Sequence, residues 1–350
     1  MKDKKRFSLK SFLPYILIAL FALVFVVRIP YYIEGPGSTE NLKDFVTVDG
    51  KTDDSSGGFY LTTVGVRKAT IATAIFAHFS DFNELVSKEE LMGSSTNKEY
   101  EQIQKYYMDS SQNAAIEQAM KLAGVDYEMT FKGVYVLTID EKSDFKGKIA
   151  VGDTVTGVDG KTFKSSEELV AYIKGLKVGQ EVTVSFEHDG EEKEATGDLI
   201  ELSTKNPGIG IGLTDHTEIT SDTSVEIDAG SIGGPSAGLM FTLETYELLT
   251  NKNIRKGHEI AGTGTINSEG VVGRIGGIDK KVVTASQNGA EIFFAPDDEI
   301  SEEIREENPD IKTNYEEAVE AGKKINTEMK IVPVKTVQDA LDYLENLEEK

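Results

Sequence analysis

A serine in a glycine-rich turn is the first feature of this sequence that could perform chemistry. Ser236 lies in the run SIGGPSAG (231–238) and precedes LMFTLETYELL, which has a helical pattern. A serine at a helix amino terminus lies beside free backbone N–H groups, which stabilise a developing negative charge. Gly233 and Gly234 lack side chains, so a substrate carbonyl can approach their backbone closely. The turn is a candidate nucleophile site with an oxyanion hole at Gly233, Gly234 and Ser236, although a tight turn with a capping serine has the same pattern.

A lysine on an amphipathic helix is the candidate base. The segment GIDKKVVTASQN (277–288) predicts a helix in which Ile278 and Val282 share one face. Lys281 borders that face, about 60° from Ile278, whereas Lys280 points nearly opposite and is expected to be solvated. Desolvation disfavours a charged amine, so Lys281 could act as a general base towards a serine hydroxyl. The alternative is that Lys281 extends into solvent from the margin of the helix.

Several ordered motifs surround the two residues. They are GPSAG at 234–238, G-T-G-T-I at 262–266, G-x-V-x-x-I-G-G at 270–277 and the helix with the K-K pair. Together they resemble the proteolytic domain of Lon proteases. The resemblance implies that Ser236 is the nucleophile, that Lys281 is the base and that Thr263 supports them through a hydrogen bond. Many Lon enzymes have an acidic residue shortly before G-P-S, and this chain has glycine there.

The sequence predicts no metal, cofactor or nucleotide site. The four histidines lack metal-ligand spacing, and the sequence has no cysteine. It also contains no G-x-x-x-x-G-K-[ST] phosphate loop. We therefore expect a protease that needs neither a metal nor ATP.

A second module is expected over residues 128–199. It reads as a strand, a turn with the sequence GKIAVGDTVTGVDGKTF (147–163), a helix and a closing hairpin at Asp189-Gly190. This order and spacing resemble a PDZ domain of the kind found in bacterial proteases. PDZ domains bind peptides by adding them as a strand to a sheet edge. The resemblance implies that Gly133, Val134, Tyr135 and Val136 form this edge, whereas a spacer without a ligand is the alternative.

The amino-terminal segment predicts a membrane anchor. Residues 1–11 form a basic tail, and residues 12–33 are almost continuously apolar, interrupted by Arg28. An apolar helix of this length spans a bilayer, and the preceding basic residues keep the amino terminus inside. We therefore expect one transmembrane helix with everything after it outside the cell, rather than a cleaved signal peptide, because no A-x-A-like cleavage site follows.

The charge of the chain limits its partners. The net charge is −23, and residues 1–10 contribute +4, so the other 340 residues carry −27. Nucleic acid is therefore excluded as an expected partner. Peptides or unfolded proteins are the expected substrates, lipid is contacted through the anchor, and homo-oligomerisation stays open.

The expected fold class is α+β, with a transmembrane helix, a PDZ domain and a Lon-type proteolytic domain at 200–350. A helix is expected to end at Gly124, and residues 34–127 are expected to start the protease domain. The whole arrangement resembles the pheromone-processing membrane proteases of Gram-positive bacteria, in which the PDZ domain is inserted in the protease domain. This implies extracellular cleavage of peptides, and a non-catalytic, membrane-tethered PDZ adaptor is the alternative function.

Overall fold

The structure is a computed structural model and describes residues 9–93, 95–300 and 302–350. The α-helices in this part of the chain are α1 Leu9–Val26, α2 Ile71–His78, α3 Lys88–Met92, α4 Asn97–Ala123, α5 Ser166–Lys174, α6 Gly238–Thr250, α7 Ile278–Gln287, α8 Glu302–Glu307, α9 Asn314–Lys324 and α10 Val337–Glu345. The strands before residue 200 are β1 Arg28–Asn41, β2 Val46–Val48, β3 Gly58–Thr70, β4 Glu84–Ser87, β5 Glu128–Ile139, β6 Thr154–Val158, β7 Glu181–His188 and β8 Glu191–Asp198. Those that follow are β9 Ile200–Glu201, β10 Pro207–Gly208, β11 Ile211–Thr220, β12 Val225–Ile227, β13 Glu259–Gly262, β14 Thr265–Ile266, β15 Val272–Gly273, β16 Ile292–Pro296 and β17 Lys330–Val334.

A six-stranded mixed sheet forms the larger core. Its order is β17-β16-β13-β3-β1-β4, and the first four strands are parallel whereas β1 and β4 are antiparallel to their neighbours. In β16, Ile292 and Phe294 pack with α6 and α10, while Phe293 and Ala295 pack with α7 and α9 on the other face. Both faces are therefore covered by helices, which explains the continuous apolar run of this strand.

Strands from both ends of the sequence meet in this sheet. Strand β3 pairs in parallel with β13, with Gly58 opposite Glu259 and Leu61 opposite Gly262. A second sheet, of order β11-β5-β6-β7-β8, is built from the intervening part of the chain and is antiparallel throughout. It surrounds its own core with α5. The expected mixture of helices and strands is therefore confirmed.

Helix α4 lies between the two sheets and begins and ends where its sequence dictates. Thr96 and Glu99 form a reciprocal capping box at its start, and Gly124 takes a left-handed conformation (φ 69°) at its end. The helix contacts α6 on one side and strands β5 and β11 on the other. It therefore joins the two halves of the molecule.

The apolar amino-terminal segment differs from its prediction. The membrane helix was expected at 12–33, but α1 ends at Val26 and strand β1 begins at Arg28. Pro30 has no backbone N–H and does not continue a helix, and the residues around it pair with β3, Tyr32 lying opposite Lys68. Within residues 9–93, 95–300 and 302–350, no helix has the length and apolar character required to cross a bilayer. Residues 1–8 of the predicted basic tail lie outside the described residues.

Candidate active site

Three side chains meet where the carboxyl end of β13 faces the amino ends of α6 and α7. Ser236 lies two residues before α6, Lys281 lies in the first turn of α7, and Thr263 directly follows β13. Because α6 and α7 cover opposite faces of the sheet, only the end of a strand between them can bring their first turns together. The fold thus assembles a site from segments that are distant in sequence.

The contact between Ser236 and Lys281 is short. Lys281 Nζ lies 2.6 Å from Ser236 Oγ and donates a hydrogen bond to Thr263 Oγ1 at 3.0 Å. Thr263 Oγ1 donates in turn to the carbonyl of Ser236 at 3.0 Å, and Gly264 N–H donates to the same carbonyl at 2.9 Å. Thr263 therefore fixes both the amine and the backbone of the serine. The supporting hydrogen bond predicted for Thr263 is present.

The amine of Lys281 is isolated from solvent. Its side chain is 3% exposed, and burial lowers the pKa of Lys281 to about 7. The positive end of the α7 dipole acts in the same direction. At neutral pH about half of the molecules therefore carry a neutral amine, which has a lone pair that can take the proton of Ser236 Oγ.

Lys280 is not solvated, contrary to its prediction. It is 5% exposed, and its Nζ lies 2.9 Å from Glu84 and 3.5 Å from Asp279. Burial works to lower the pKa of Lys280, but the hydrogen bond to Glu84 and the nearby carboxylates outweigh it and raise the pKa. Strands β1 and β3 pack against α7, and Glu84 of β4 reaches Lys280, which the helical pattern could not indicate. The two neighbouring lysines are both buried, but only Lys280 has carboxylate partners that keep it charged.

The glycine-rich turn lies close against helix α4, and one of the amides predicted to bind an oxyanion is already hydrogen bonded. A Cβ at Gly233 would lie 2.6 Å from Gln104 Cβ, so α4 passes against the turn. Gly234 N–H donates to the carbonyl of Gln104 at 2.8 Å, and Ser111 Oγ donates to the carbonyl of Pro235 at 3.0 Å. In this conformation the Gly234 amide is therefore not free to bind an oxyanion. The contacts of Gln104 and Ser111 were not predictable, because nothing in the sequence of α4 marks a residue that contacts a turn more than 120 positions away.

A cleft of about 950 Å³ opens beside Ser236 and Lys281. Its walls come from β1, β3, α4 and the segments before α6 and α7, and they include the carboxylates of Glu34 and Glu40. Burial is the largest cause of a raised pKa at Glu34, partly offset by the charge of Lys280. The cleft is large enough for several residues of an extended peptide.

The predicted peptide-binding edge is already paired on both sides, so the expectation of an open edge at Gly133–Val136 is wrong. Val134 and Tyr135 pair with Val155 and Thr154 of β6. On the other side, residues 133–136 pair with β11, from His216 to Leu213. The sequence could not show this, because β11 is contributed by a segment that follows the PDZ-like region.

Comparison with known protein families gives two matches. Residues 122–199 match the PDZ domain, and residues 203–346 match the Lon protease (S16) C-terminal proteolytic domain. The chain therefore combines a PDZ domain with a Lon-type protease domain in a mixed α/β protein. The protease match contains Ser236, Thr263 and Lys281.

Individual relatives agree with the protease match. A Lon protease of Phenylobacterium zucineum is 34% identical over 121 residues, which cover 32% of this chain and 15% of the relative. A Lon protease of Syntrophus aciditrophicus is 27% identical over 154 residues, which cover 43% of this chain and 17% of the relative. This chain thus spans about a sixth of the length of these curated relatives. Among solved structures, the PDZ domain of an SdrC-like protein from Listeria monocytogenes is 35% identical and covers 24% of this chain and 90% of its own, with a TM-score of 0.23.

Proposed function

We propose that this protein is a serine endopeptidase in which Ser236 is the nucleophile and Lys281 is the general base. The contact of 2.6 Å between Lys281 Nζ and Ser236 Oγ, with the pKa of the amine lowered to about 7, carries the proposal. A lysine that is neutral near physiological pH matches the requirement for a general base. The Lon-type protease domain around both residues supports the same reaction.

The reaction begins when Ser236 Oγ transfers its proton to Lys281 Nζ and attacks a peptide carbonyl carbon. The oxyanion is stabilised by backbone N–H groups at the start of α6, including that of Ser236. Lys281 then gives its proton to the leaving nitrogen, the peptide bond breaks, and an acyl-enzyme remains on Ser236. Water attacks this ester with Lys281 again as base, which releases the acid product and restores Ser236.

We further propose that the substrates are extended peptides or unfolded segments, cleaved without ATP or a metal ion. The open cleft beside Ser236 accommodates an extended chain. Its carboxylates Glu34 and Glu40 favour substrates that carry basic residues near the cleaved bond. Processing of small secreted peptides, such as pheromones, is consistent with this chemistry.

The location proposed for this activity is the outer face of a cell membrane. Helix α1 exposes large apolar side chains on several sides, among them Tyr15 (70% exposed), Phe21 (68%) and Val26 (72%). Lipid would cover these side chains, and the basic residues at 1–10 would hold the amino terminus inside. Protease added to intact protoplasts should then digest residues 34–350, and their protection until lysis would reverse the proposed orientation.

A serine-reactive fluorophosphonate probe tests the catalytic part of the proposal. The full-length protein in detergent should be labelled at Ser236, and labelling should increase between pH 6 and 8 as Lys281 becomes neutral. Ser236→Ala should abolish both labelling and peptide cleavage. An unlabelled wild-type protein that still binds peptides would instead identify a non-catalytic adaptor.

A further inference from the structure

The PDZ sheet contains a strand that does not belong to the PDZ domain. The PDZ match covers residues 122–199, whereas β11 at Ile211–Thr220 lies inside the match to the protease domain. It pairs with β5 from Ile211 opposite Ile139 to Thr220 opposite Glu128. A segment of the protease domain therefore extends the PDZ sheet in the way that a bound peptide would.

Side chains around β11 occupy the PDZ domain as the residues of a ligand would. Ile209 is 3% exposed in the core of this domain, and Ile211 and Leu213 pack on the same core at alternate positions. Asp215 is hydrogen bonded to Ser166 at the start of α5. The segment thus lies between β5 and α5, and its apolar residues follow the period of two that is typical of an extended peptide in a groove.

Helix α4 connects this segment to the active-site turn. On the PDZ side, Asn113 donates to the carbonyl of Thr217 at 2.8 Å. The rings of Tyr106, Tyr135 and His216 form a stack with successive centroid distances of 4.2 and 4.1 Å.

On the other side of α4, the carbonyl of Gln104 holds the Gly234 amide and Ser111 holds the carbonyl of Pro235. Tyr106 of α4, whose ring stacks on Tyr135 of the PDZ domain, is two residues from Gln104. One helix therefore contacts both β11 and the turn that carries Ser236.

We propose that β11 is an internal ligand of the PDZ groove, and that an extended peptide with apolar residues at alternate positions displaces it and activates cleavage at Ser236. Displacement removes the contacts that hold α4 against β11, and the helix then releases the Gly234 amide for the oxyanion. The activation step rests on the proposed protease function, whereas the exchange of ligands does not. A tethered ligand acts at an effective concentration of about 1 mM, so a peptide of equal intrinsic affinity competes only near that concentration.

Weakening β11 should make the groove available. The probe is a fluorescent synthetic peptide with the sequence of residues 207–220, PGIGIGLTDHTEIT, and binding is followed by anisotropy on the Ser236→Ala protein in detergent. Adding Leu213→Ser should tighten binding about tenfold, because the internal ligand loses an apolar contact. Glu192→Gln, on the exposed far-edge strand β8, is the matched control and should leave binding unchanged. A peptide with serine at both positions that correspond to Ile211 and Leu213 should not bind.

A reversible covalent lock tests the same exchange without weakening the fold. A Cβ at Gly212 would lie 3.5 Å from Thr138 Cβ, which is within the range of disulfides, and the chain has no cysteine of its own. In the Ser236→Ala background, the double variant Thr138→Cys, Gly212→Cys should bind the peptide only after reduction. Mass spectrometry verifies the lock, and matching circular dichroism before and after reduction verifies the fold.

Cleavage of a short fluorogenic peptide by the corresponding proteins with Ser236 intact tests activation. The 207–220 peptide should raise the rate at which the reduced double variant cleaves the fluorogenic peptide about tenfold or more, because one oxyanion donor is worth about 10²–10³ in rate. It should not change the rate of the oxidised form. Equal binding by the oxidised and reduced forms would overturn the proposal, and so would exchange without a change in rate. A third outcome separates the two proposals: the reduced double variant binds the peptide and the oxidised one does not, but none of the proteins with Ser236 intact cleaves a peptide. In that case the ligand exchange holds and the proposed protease function fails.

Discussion

Replacing Lys281 with methionine should remove the activity and stabilise the fold at the same time. Methionine fills a similar volume but has no lone pair that can accept the proton of Ser236 Oγ. General base catalysis contributes about 10²–10⁴-fold, so kcat should fall by that factor. In the wild type, the rate should rise about tenfold per pH unit below pH 7 and level off above pH 8, because the pKa of Lys281 is about 7.

The gain in stability follows from the same pKa. Lowering the pKa of Lys281 from 10.5 to about 7 on folding costs on the order of 5 kcal/mol at pH 7 and below. The hydrogen bonds of Nζ to Ser236 and Thr263 offset about 1 kcal/mol each. We therefore expect Lys281→Met to be more stable than wild type by about 1–3 kcal/mol at pH 7.

The sign of this effect can be checked by its pH dependence. The unfolded lysine is protonated up to about pH 10 while the folded one is neutral above pH 7, so the unfolded state binds more protons between these values. The stability gap between Lys281→Met and wild type should therefore be largest at and below pH 7 and become smaller towards pH 10. Urea unfolding at several pH values measures it, with kcat/KM profiles from pH 5.5 to 9.

Lys280→Met is the matched control, because Lys280 is also buried but has a raised pKa and a partner in Glu84. It should lose stability slightly and keep the pH profile of cleavage. An active Lys281→Met enzyme, or one that is less stable than wild type at pH 7, would refute the assignment of the base.

Three further predictions concern Thr263, Glu244 and the independence of cleavage from metal ions. Thr263→Val should lower kcat about tenfold with little change in KM, and Thr263→Ser should restore it, because only the hydroxyl positions Lys281 Nζ. Burial raises the pKa of Glu244 to about 8, so the fold should lose stability as pH rises from about 5 to 8. Glu244→Gln should flatten that dependence in thermal melts, and an unchanged slope would place the titration elsewhere. EDTA should leave kcat unchanged, and restoration of a lost activity by one specific metal would contradict the proposed chemistry.

Local elements were predictable from the sequence because their signals are local. Helix α4 ends at Ala123 with Gly124 as its cap, as the end signal in the sequence predicts. The helix that carries Lys281 occupies Ile278–Gln287, one residue shorter at each end than its pattern. The resemblance to the Lon proteolytic domain also implied that Ser236, Thr263 and Lys281 form one group, and the structure brings them within hydrogen-bonding distance. Their catalytic roles stay predictions.

Long-range contacts were not predictable in the same way. The helical pattern of α7 has one apolar face, yet β1 and β3 also pack against this helix, and Lys280 is buried beside Glu84. The PDZ resemblance implied a sheet edge at Gly133–Val136, but a strand more than 70 residues later pairs with it. Apolar residues after Arg28 continue the composition of a helix and instead pair with β3. In each case the deciding partner lies far along the chain, where periodicity carries no information.

The order of strands in the larger sheet also limits when this sheet can form during synthesis. Strand β3 cannot pair with β13 until the residues of β13, about 200 positions later, have been synthesised. The PDZ segment at 122–199 lies wholly between these two strands and can fold first. Contacts across such separations are slow to form and leave β3 without its neighbour during synthesis. Ser236 also leaves the ribosome 45 residues before Lys281, so a partly made chain has the proposed nucleophile without the proposed base. The proposed cleavage reaction therefore requires that synthesis has passed Lys281 and that the two distant segments have come together.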